Sequence, residues 1–451
     1  MSNVKTYSPQ MDELSAIDTT IRMYTHPSIE IDTSYLMLQL DQIKSEKDAA
    51  VKKAGTTVEV LQSNPKFAEA LEAFGVEVPM KTSPRTGKQA FALAKNDAEF
   101  LELLDHSQEV RDLVEARLAV KSTIEQSRME RLLDIGNRKG AFPINLKYAA
   151  ALTQRFSGGE AMNPQNMTRR IRKALRAPAG HLLCEVDSSQ IEARIIAWLA
   201  SDDPEDRFLG AFVRGEDVYK QTASFIYGTP VEETSPEQRQ RGKITTLAAG
   251  FGLSPDALLR TFKVAGIKAT QEDAIRCIQA FRRNYAGVPR LWADADRCLG
   301  AMHFNMNYRP GVERQTAEFG KRVEAVRFYG EEFILPNGTP IKYPELTKDD
   351  RDNFSYYMKT GHVRIFGAKV VENIVQSLAR QLLIYWMARI KESSNLQIAL
   401  TVHDSILVVT PREKADETTE FLEATMKLGP NWSSDLPLQC ESKIGECYGD
   451  I

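Results

Sequence analysis

Helical and strand-like spacings of apolar residues alternate along the chain. Residues 110–133 carry apolar side chains at helical spacing with charges between them, and residues 67–74 show an earlier helical pattern. A stretch rich in Pro, Gly and Thr, residues 78–87, separates the two patterns and predicts a loop. The first third of the chain is therefore predicted to be mainly helical.

The middle of the chain begins with a predicted strand. The apolar run 182–186 predicts a strand that ends at Asp187 and leads into a helix with Ile191, Ile195 and Leu199 on one face. A helical region follows, from about residue 204 to residue 302, and it is interrupted by glycine and proline.

Strand patterns return in the last third of the chain. Residues 333–335 and the turn residues 336–338 predict a hairpin, and residues 368–390 predict a long helix. Two apolar runs, 398–402 and 406–409, are joined through His403, Asp404 and Ser405. Helical blocks inserted into a mostly antiparallel sheet define an α+β fold class.

Composition narrows the class of protein. The chain has 451 residues, of which 42% are hydrophobic and 26% charged, which is typical of a globular protein with more than one core. It contains no run of about 18 apolar residues, so no membrane span is predicted, and its first residues lack a secretory pattern. The five cysteines are scattered without zinc-ligand spacing, which favours reduced thiols and a cytoplasmic location.

Charge alone gives little support for a nucleic-acid partner. The net charge is −3, but polyanion binding requires only a local basic surface. Residues 169–176 form the densest basic stretch. Taken by itself, this stretch favours a solvated helix face over a binding site.

Two aspartates occupy the ends of predicted strands. By itself Asp187 is best interpreted as a helix N-cap and Asp404 as an ordinary turn residue. If the fold brings them together, their carboxylates repel each other unless a cation lies between them, and oxygen ligands favour Mg²⁺. Two metal ions held in this way can support an in-line phosphoryl transfer.

A third candidate element is a predicted helix over residues 237–253. Arg239, Lys243, Leu247 and Phe251 are spaced four residues apart and are expected to share one face of this helix. Two cations followed by two apolar groups suit a triphosphate at one end and a base or sugar at the other. An amphipathic helix with solvated basic residues is the alternative, and in isolation it is favoured.

Motifs around these residues resemble the polymerase module of family A DNA polymerases. Residues 186–194 are similar to the first catalytic motif of that family, residues 239–252 to its nucleotide-binding finger helix, and residues 401–405 to its last motif. Further similar segments, in family order, are 63–66, 118–123, 153–157, 164–166 and 372–376. The similarity therefore extends over nearly the whole chain and outweighs the simpler interpretation of each motif.

The resemblance implies a right-hand polymerase with a palm built on an antiparallel sheet, helical fingers and a helical thumb. The expected divisions are an N-terminal segment joining the palm at 1–34, a thumb at 35–130, a first palm segment at 131–200, fingers at 201–330 and a second palm segment at 331–451. The implied activity is template-directed DNA synthesis on primer-template DNA with dNTPs as substrates.

Carried over residue by residue, the resemblance makes Asp187 and Asp404 the ligands of two Mg²⁺ ions, for which Mn²⁺ can substitute. The backbone carbonyl of Ser188 is expected to be a third ligand. Lys243 and Arg239 are expected to hold the incoming triphosphate and to offset charge on the leaving pyrophosphate.

Other residues are implied to select the sugar and to hold the DNA. Glu192 is expected to lie under the sugar 2′-position and to exclude ribonucleotides. The minor-groove side of the primer-template end would be contacted by Arg155, Gln376 and His403. The duplex backbone would be held by Gln165, Asn166 and the basic stretch from Arg169.

Four positions depart from the family pattern. Leu247 stands where an aromatic residue is usual, and Phe251 stands where a tyrosine is usual. Ser405 replaces an acidic residue, and Tyr219 occupies a place often held by a histidine that faces the phosphates. None of these departures removes an implied metal ligand, so activity with altered rate or selectivity is expected.

Residues 17–24 resemble the junction that follows the 3′→5′ exonuclease domain in phage-like members of the family. This favours a phage replication enzyme without its own proofreading domain, with a separate exonuclease or processivity subunit as a candidate partner. Two alternatives stay open. A single-subunit RNA polymerase is disfavoured by Glu192, and a non-catalytic DNA-binding relative is disfavoured by both aspartates and Lys243.

Overall fold

The computed structural model describes residues 9–83, 87–159, 162–306, 317–322, 324–329 and 331–451. The chain divides into two compact units. The larger unit comprises residues 1–26, 144–165 and 180–444, and the smaller unit comprises residues 27–143, 166–179 and 445–451.

The helices of the described residues are α1 (Pro9–Thr25), α2 (Thr33–Lys53), α3 (Val58–Gln62), α4 (Asn64–Glu72), α5 (Ala98–Glu102), α6 (Gln108–Lys121), α7 (Ile124–Lys139), α8 (Arg169–Arg172), α9 (Ile191–Ala200), α10 (Arg207–Val213), α11 (Val218–Tyr227), α12 (Pro236–Ala249), α13 (Pro255–Val264), α14 (Gln271–Asn284), α15 (Gly287–Met306), α16 (Gly367–Ser393) and α17 (Ala415–Met426).

The strands are β1 (Glu30–Ile31), β2 (Met80–Thr82), β3 (Gln89–Phe91), β4 (Leu146–Lys147), β5 (Ser157–Gly158), β6 (Leu175–Arg176), β7 (His181–Ser188), β8 (Arg327–Tyr329), β9 (Glu332–Ile334), β10 (Pro340–Ile341), β11 (Thr347–Lys348), β12 (Phe354–Met358), β13 (Gly361–Ile365), β14 (Ile398–Val402), β15 (Ser405–Pro411) and β16 (Cys440–Gly445).

The smaller unit is mainly helical because its helices are capped and share one apolar core. Ser63 caps α4 by accepting a hydrogen bond from the Lys66 N–H at 3.4 Å, with a proline in the first turn. Arg117 lies in the core with its guanidinium 4.3 Å from the centre of the Phe67 ring. The fully buried core side chains include Leu61, Phe67, Leu71, Phe100, Val110 and Val114.

Two sequence predictions for the smaller unit need correction. The helical pattern over residues 110–133 is two helices, because α6 ends at Lys121 and α7 begins at Ile124. Ser122 and Thr123 lie between the two helices, and serine and threonine are weaker helix formers than the residues on either side. The predicted loop at 78–87 contains strand β2, which pairs with β3, while residues 84–86 lie outside the described residues.

A four-stranded sheet with the order β14-β15-β7-β16 forms the centre of the larger unit. Strand β15 is antiparallel to both β14 and β7. Helix α17 packs against β7, and the long helix α16 is buried along most of its length. This sheet and its helices confirm the predicted α+β class, the strand at 182–186, the long helix at 368–390 and the final hairpin.

Helices α10 to α15 form a helical region of the larger unit. Ser235 and Gln238 form a capping box that begins α12, and the same helix packs closely on α11. A Cβ atom at Gly242 would lie 2.1 Å from the Tyr219 carbonyl oxygen, so the close approach of the two helices requires glycine there.

The hairpin predicted around residues 333–338 is confirmed by the antiparallel pairing of β9 with β10. Among the described helices, none is both long and apolar enough to cross a membrane. The subdomain boundaries predicted from the sequence stay predictions.

Candidate active site

The strand register brings the two predicted metal-binding aspartates to the same end of the sheet. Asp187 on β7 is directly opposite Ser405 on β15, and Asp404 immediately precedes Ser405. The Ser188 N–H donates to the Asp404 carbonyl oxygen at 3.4 Å. Because these backbones are hydrogen-bonded neighbours, both carboxylates belong to one small region of the surface.

The direction of the Asp187 side chain follows from strand alternation. The strand continues to Ser188 and does not end at Asp187, which corrects the sequence prediction. Val186 and Ser188 are buried, whereas Asp187 between them is exposed. The pleat therefore directs the Asp187 carboxylate to the open face of the sheet.

The electrostatic environment disfavours two charged carboxylates. Burial and the nearby charge of Asp187 raise the pKa of Asp404 to about 7, against an opposing effect of Arg155. Although the Asp187 side chain reaches solvent, partial desolvation by the surrounding protein atoms and the Glu185 carboxylate raise its pKa to about 6, and the positive charge of Lys443 opposes this shift. A cation near both groups would stabilise their ionised forms.

Arg155 and Glu192 form an ion pair beside these aspartates. Arg155 Nη1 lies 3.1 Å from Glu192 Oε1, and each side chain is 26% exposed. Burial raises the pKa of Glu192, while the positive charge of Arg155 lowers it and Glu372 raises it. Arg155 also lowers the pKa of Asp404, and Glu192 raises it.

Two cations of α12 flank the ring of Tyr219 on α11. The Arg239 guanidinium lies 5.4 Å and the Lys243 ammonium 5.9 Å from the ring centre. Arg239 Nε also lies 2.7 Å from an oxygen of Asp217, whereas Lys243 is exposed. Tyr219 is itself buried, and this burial raises its pKa to about 12.

Glu441 on β16 acts electrostatically on one residue of the sheet and on one residue of α11. Its carboxylate raises the pKa of Asp187 and also that of Tyr219.

The predicted apolar end of the finger helix is only partly present. Leu247 is 42% exposed and lies on α12 with Arg239 and Lys243, as expected. Phe251 lies beyond the helix, which ends at Ala249, so the predicted shared face of four residues is wrong at its last member. The chain turns here because Gly252 has a φ of 74° and ends the helical path.

Gln376 and His403, two of the residues predicted to contact the primer-template end, lie in the larger unit. Gln376 Nε2 donates to Glu372 Oε1 at 3.4 Å, and the same oxygen lies 2.7 Å from Lys369 Nζ. His403 is exposed and has a φ of 55°, a left-handed conformation that lets it form the two-residue hairpin loop with Asp404.

The predicted duplex-binding residues belong to both units. In the larger unit, the Gln165 N–H donates to Asn163 Oδ1 at 3.0 Å. In the smaller unit, the Asn166 carbonyl accepts from Arg128 at 2.8 Å, and Arg169 Nε donates to the Gly449 carbonyl at 2.9 Å. The side chain of Arg169 therefore already has a partner within its own unit.

Sequence reasoning missed two residues that support the site. Asp217 caps α11 by accepting from the Tyr219 N–H at 3.0 Å, and it also pairs with Arg239. Arg194 donates to the Ser189 carbonyl at 2.7 Å and so holds the turn after β7. The N-cap pattern before Val218 was an available signal for Asp217, whereas nothing local indicated the partner of Arg194.

Asp187 and Asp404 together offer a metal ion two side-chain carboxylates, without a third side-chain ligand beside them in the described part of the chain. Within the part of the chain that the structure describes, no three His, Cys, Asp or Glu side chains are arranged to hold a metal ion. A metal ion bound here would therefore depend on two carboxylates together with backbone, solvent or substrate oxygens. Such a set fits a hard cation such as Mg²⁺, which keeps several non-protein ligands.

Comparison with solved structures supports the fold. The POL domain of Pol1 from M. smegmatis, solved in complex with DNA primer-template and dNTP, aligns with a TM-score of 0.69 at 22% identity and covers 97% of this chain and 70% of that one. The likeness agrees with a fold of palm, fingers and thumb elements.

Sequence relatives point to the same group. The DNA polymerase of Bacillus phage SP02 is 26% identical over 298 residues, which is 63% of this chain and 44% of the relative. DNA polymerase I of Pseudomonas aeruginosa is 25% identical over 399 residues, which is 86% of this chain and 38% of the relative. The chain spans less than half the length of these curated relatives.

The family profile described as DNA polymerase family A matches residues 35–303, which is more than half of the chain. The matched range contains strand β7 with Asp187 and helix α12 with Arg239 and Lys243. The chain therefore belongs to DNA polymerase family A.

Proposed function

We propose that this chain is a template-directed DNA polymerase that adds deoxynucleotides to a primer 3′-hydroxyl. The observation that carries the proposal is the register of β15 against β7, which sets Asp404 beside Asp187. The cationic face of α12 lies in the same unit. Carboxylates that can bind metal and cations that can bind triphosphate are the two requirements of phosphoryl transfer.

Asp187 and Asp404 would hold two Mg²⁺ ions, with the Ser188 carbonyl as a further ligand and Mn²⁺ as a substitute. When bound, such ions activate the attacking hydroxyl and stabilise charge on the leaving oxygen. The role of the protein is to hold both carboxylates on hydrogen-bonded backbones, so that little reorganisation is needed when substrate binds.

The incoming triphosphate would be held by Lys243 and Arg239. The Tyr219 ring supports both cations and is about equally distant from each. Because Asp217 already pairs with Arg239, the exposed ammonium of Lys243 is the more available charge for the phosphates. Lys243 is therefore assigned the larger share in offsetting charge on the leaving pyrophosphate.

Lys243→Ala is expected to reduce kcat/KM for dNTP insertion by about 100-fold, because one preorganised positive charge is lost where negative charge develops. Single-nucleotide insertion on a primer-template measures this effect. Lys268→Ala removes an exposed lysine of the same helical region and serves as the matched control. Rates within threefold of wild type for Lys243→Ala would contradict its assigned role.

Arg155, Gln376 and His403 would contact the minor-groove edge of the primer-template end, where acceptors are alike for every correct base pair. Gln165, Asn166 and Arg169 would contact the duplex backbone. Arg155 also pairs with Glu192, so one residue would link the primer end to the residue that selects the sugar.

Leu247 and Phe251 would line the path of the nucleotide. Leu247→Phe is expected to change the ratio of dideoxynucleotide to deoxynucleotide incorporation by about tenfold, because a ring replaces a shorter apolar side chain near the sugar 3′-position. Competition between ddNTP and dNTP on one template measures the ratio. Leu247→Met conserves volume and should leave it unchanged; an unchanged ratio in Leu247→Phe would contradict the assignment.

Phage DNA replication is the proposed role, on the basis of the similarity to the phage SP02 enzyme, and the cytoplasm of the host cell is the proposed location. A separate exonuclease or processivity subunit is a proposed partner.

Extension of a labelled primer tests the function and separates it from the two alternatives. Extension with dNTPs and Mg²⁺, lost on addition of EDTA, is expected. Preferred use of rNTPs would favour an RNA polymerase, and DNA binding without extension would favour a non-catalytic relative.

A further inference from the structure

A half-buried polar network, with the buried Arg380 at its centre, lies beside Arg155 in the larger unit. Arg380 on α16 is 3% exposed, and both terminal nitrogens of its guanidinium donate to the carboxylate of Glu13 on α1, one of them at 2.7 Å. The Tyr148 hydroxyl donates to the same carboxylate. Charge-assisted bonds from two partners fix the position of the Glu13 carboxylate.

Asn337, in the turn between β9 and β10, extends this network from Glu13 to Gln154. Asn337 Nδ2 donates to Glu13 Oε1 at 3.0 Å and to Gln154 Oε1 at 3.4 Å. Gln154 Nε2 donates in turn to Thr339 Oγ1 at 2.6 Å. The side-chain amide of Gln154 is therefore held at both its oxygen and its nitrogen.

Both chain neighbours of Arg155 are fixed by the network. Gln154 precedes it and has a φ of 59°, a left-handed conformation that is uncommon for a residue with a side chain. Phe156 follows it, packs edge-on against Tyr148 at 5.7 Å, and lies 6.0 Å from the Arg380 guanidinium. The backbone of Arg155 thus has little freedom, and its side chain extends to Glu192 at 3.1 Å.

The Glu13–Arg380 pair is not needed merely to attach α1 to α16. A second buried pair already joins the same two helices, because Arg389 Nη2 on α16 donates to Asp12 Oδ1 on α1 at 2.8 Å. Buried ion pairs are costly to desolvate, and apolar contacts often replace them without loss of stability. The Glu13 pair differs from the Asp12 pair in its connection, through Asn337, to the segment that carries Arg155.

We infer that Glu13 and Asn337 are positioning residues that act through Gln154 to hold Arg155 against Glu192, so that α1 controls how strictly the nucleotide sugar is selected. The inference rests on the proposed function, in which Glu192 excludes ribonucleotides. If Arg155 is less firmly held, Glu192 loses its fixed partner and the space beneath the sugar 2′-position opens.

The experiment compares Asp12 and Glu13, adjacent acids of α1, in the 451-residue chain. Glu13→Gln and Asn337→Ala are expected to raise the ratio of kcat/KM for rNTP over dNTP by at least about fivefold. Asp12→Asn breaks the neighbouring pair and is expected to lower the melting temperature while leaving that ratio within twofold of wild type. The melting temperature of each variant separates loss of stability from loss of positioning.

A second comparison tests the route through Arg155. Glu13→Gln added to Arg155→Ala is expected to cause no further change in the ratio, because the group it positions is already absent. Three results would overturn the inference while the proposed function stands. The rNTP over dNTP ratio could shift equally in Glu13→Gln and Asp12→Asn, or it could shift in neither. The effects of Glu13→Gln and Arg155→Ala on this ratio could also be fully additive. Absence of templated extension by the wild type would instead overturn the proposed function, and the inference with it.

Discussion

Replacement of Asp404 by alanine is expected to slow primer extension by about three orders of magnitude. Asp404 is half-buried beside Asp187, and it would supply one of two protein carboxylates for the metal ions. Loss of about 4 kcal/mol of transition-state stabilisation corresponds to a rate reduction of about 1000-fold. Extension of a labelled primer under single-turnover conditions measures the loss.

Two variants control the Asp404 experiment. Asp404→Asn keeps the shape of the side chain and removes its charge, so it is expected to be nearly as inactive as the alanine variant. Asp416→Ala removes an exposed aspartate from the first turn of α17 and should extend primers at the wild-type rate. DNA binding by Asp404→Ala should be retained, and extension within tenfold of wild type would contradict the role of Asp404.

Replacement of Glu192 by alanine is expected to admit ribonucleotides. The side chain is half-buried and its carboxylate is held by Arg155 at 3.1 Å, so it would fill fixed space beneath the sugar. Removal of this group should raise the ratio of kcat/KM for rNTP over dNTP by about 100-fold, the discrimination that one steric contact can supply. Insertion of ATP and dATP opposite the same template base measures the ratio.

Glu192→Gln separates the volume of the side chain from its charge. Glu192→Gln keeps the volume of the side chain but weakens its bond to Arg155, so it is expected to raise the rNTP over dNTP ratio only about as far as Glu13→Gln does, well short of Glu192→Ala. A ratio that stays within threefold of wild type in Glu192→Ala would show that another group selects the sugar.

Local pattern and motif resemblance predicted the elements of the site well. The spacing of apolar residues indicated α9 and both strands of the final hairpin, and the structure contains all of them. The approach of Asp187 to Asp404 depends on the pairing of β15 with β7, which no local pattern specifies. That expectation came from the family resemblance and not from the residues of either strand.

The position of Phe251 was predicted wrongly for a reason that can be identified. Apolar spacing continued past the end of α12, so the periodicity alone gave no stop signal. Gly250 and Gly252 flank Phe251, and glycine near the end of a periodic segment is a typical helix terminator. That signal should have outweighed the four-residue spacing.

The polar network of Glu13 could not be predicted from the sequence. Its bonds join α1 to α16 and to the turn after β9, which are far apart along the chain. Lone acidic and amide residues on amphipathic helices most often face solvent, and only the packed tertiary structure identifies those that are buried as partners.

Insertion of single nucleotides opposite each of the four template bases tests the central claim most directly. Purified wild-type protein with Mg²⁺ is expected to add the complementary dNTP at every template base, to add the other three far more slowly, and to add none when EDTA is present. Insertion that ignores the template base, or no insertion despite firm binding of primer-template, would contradict the assignment of this chain as a template-directed DNA polymerase.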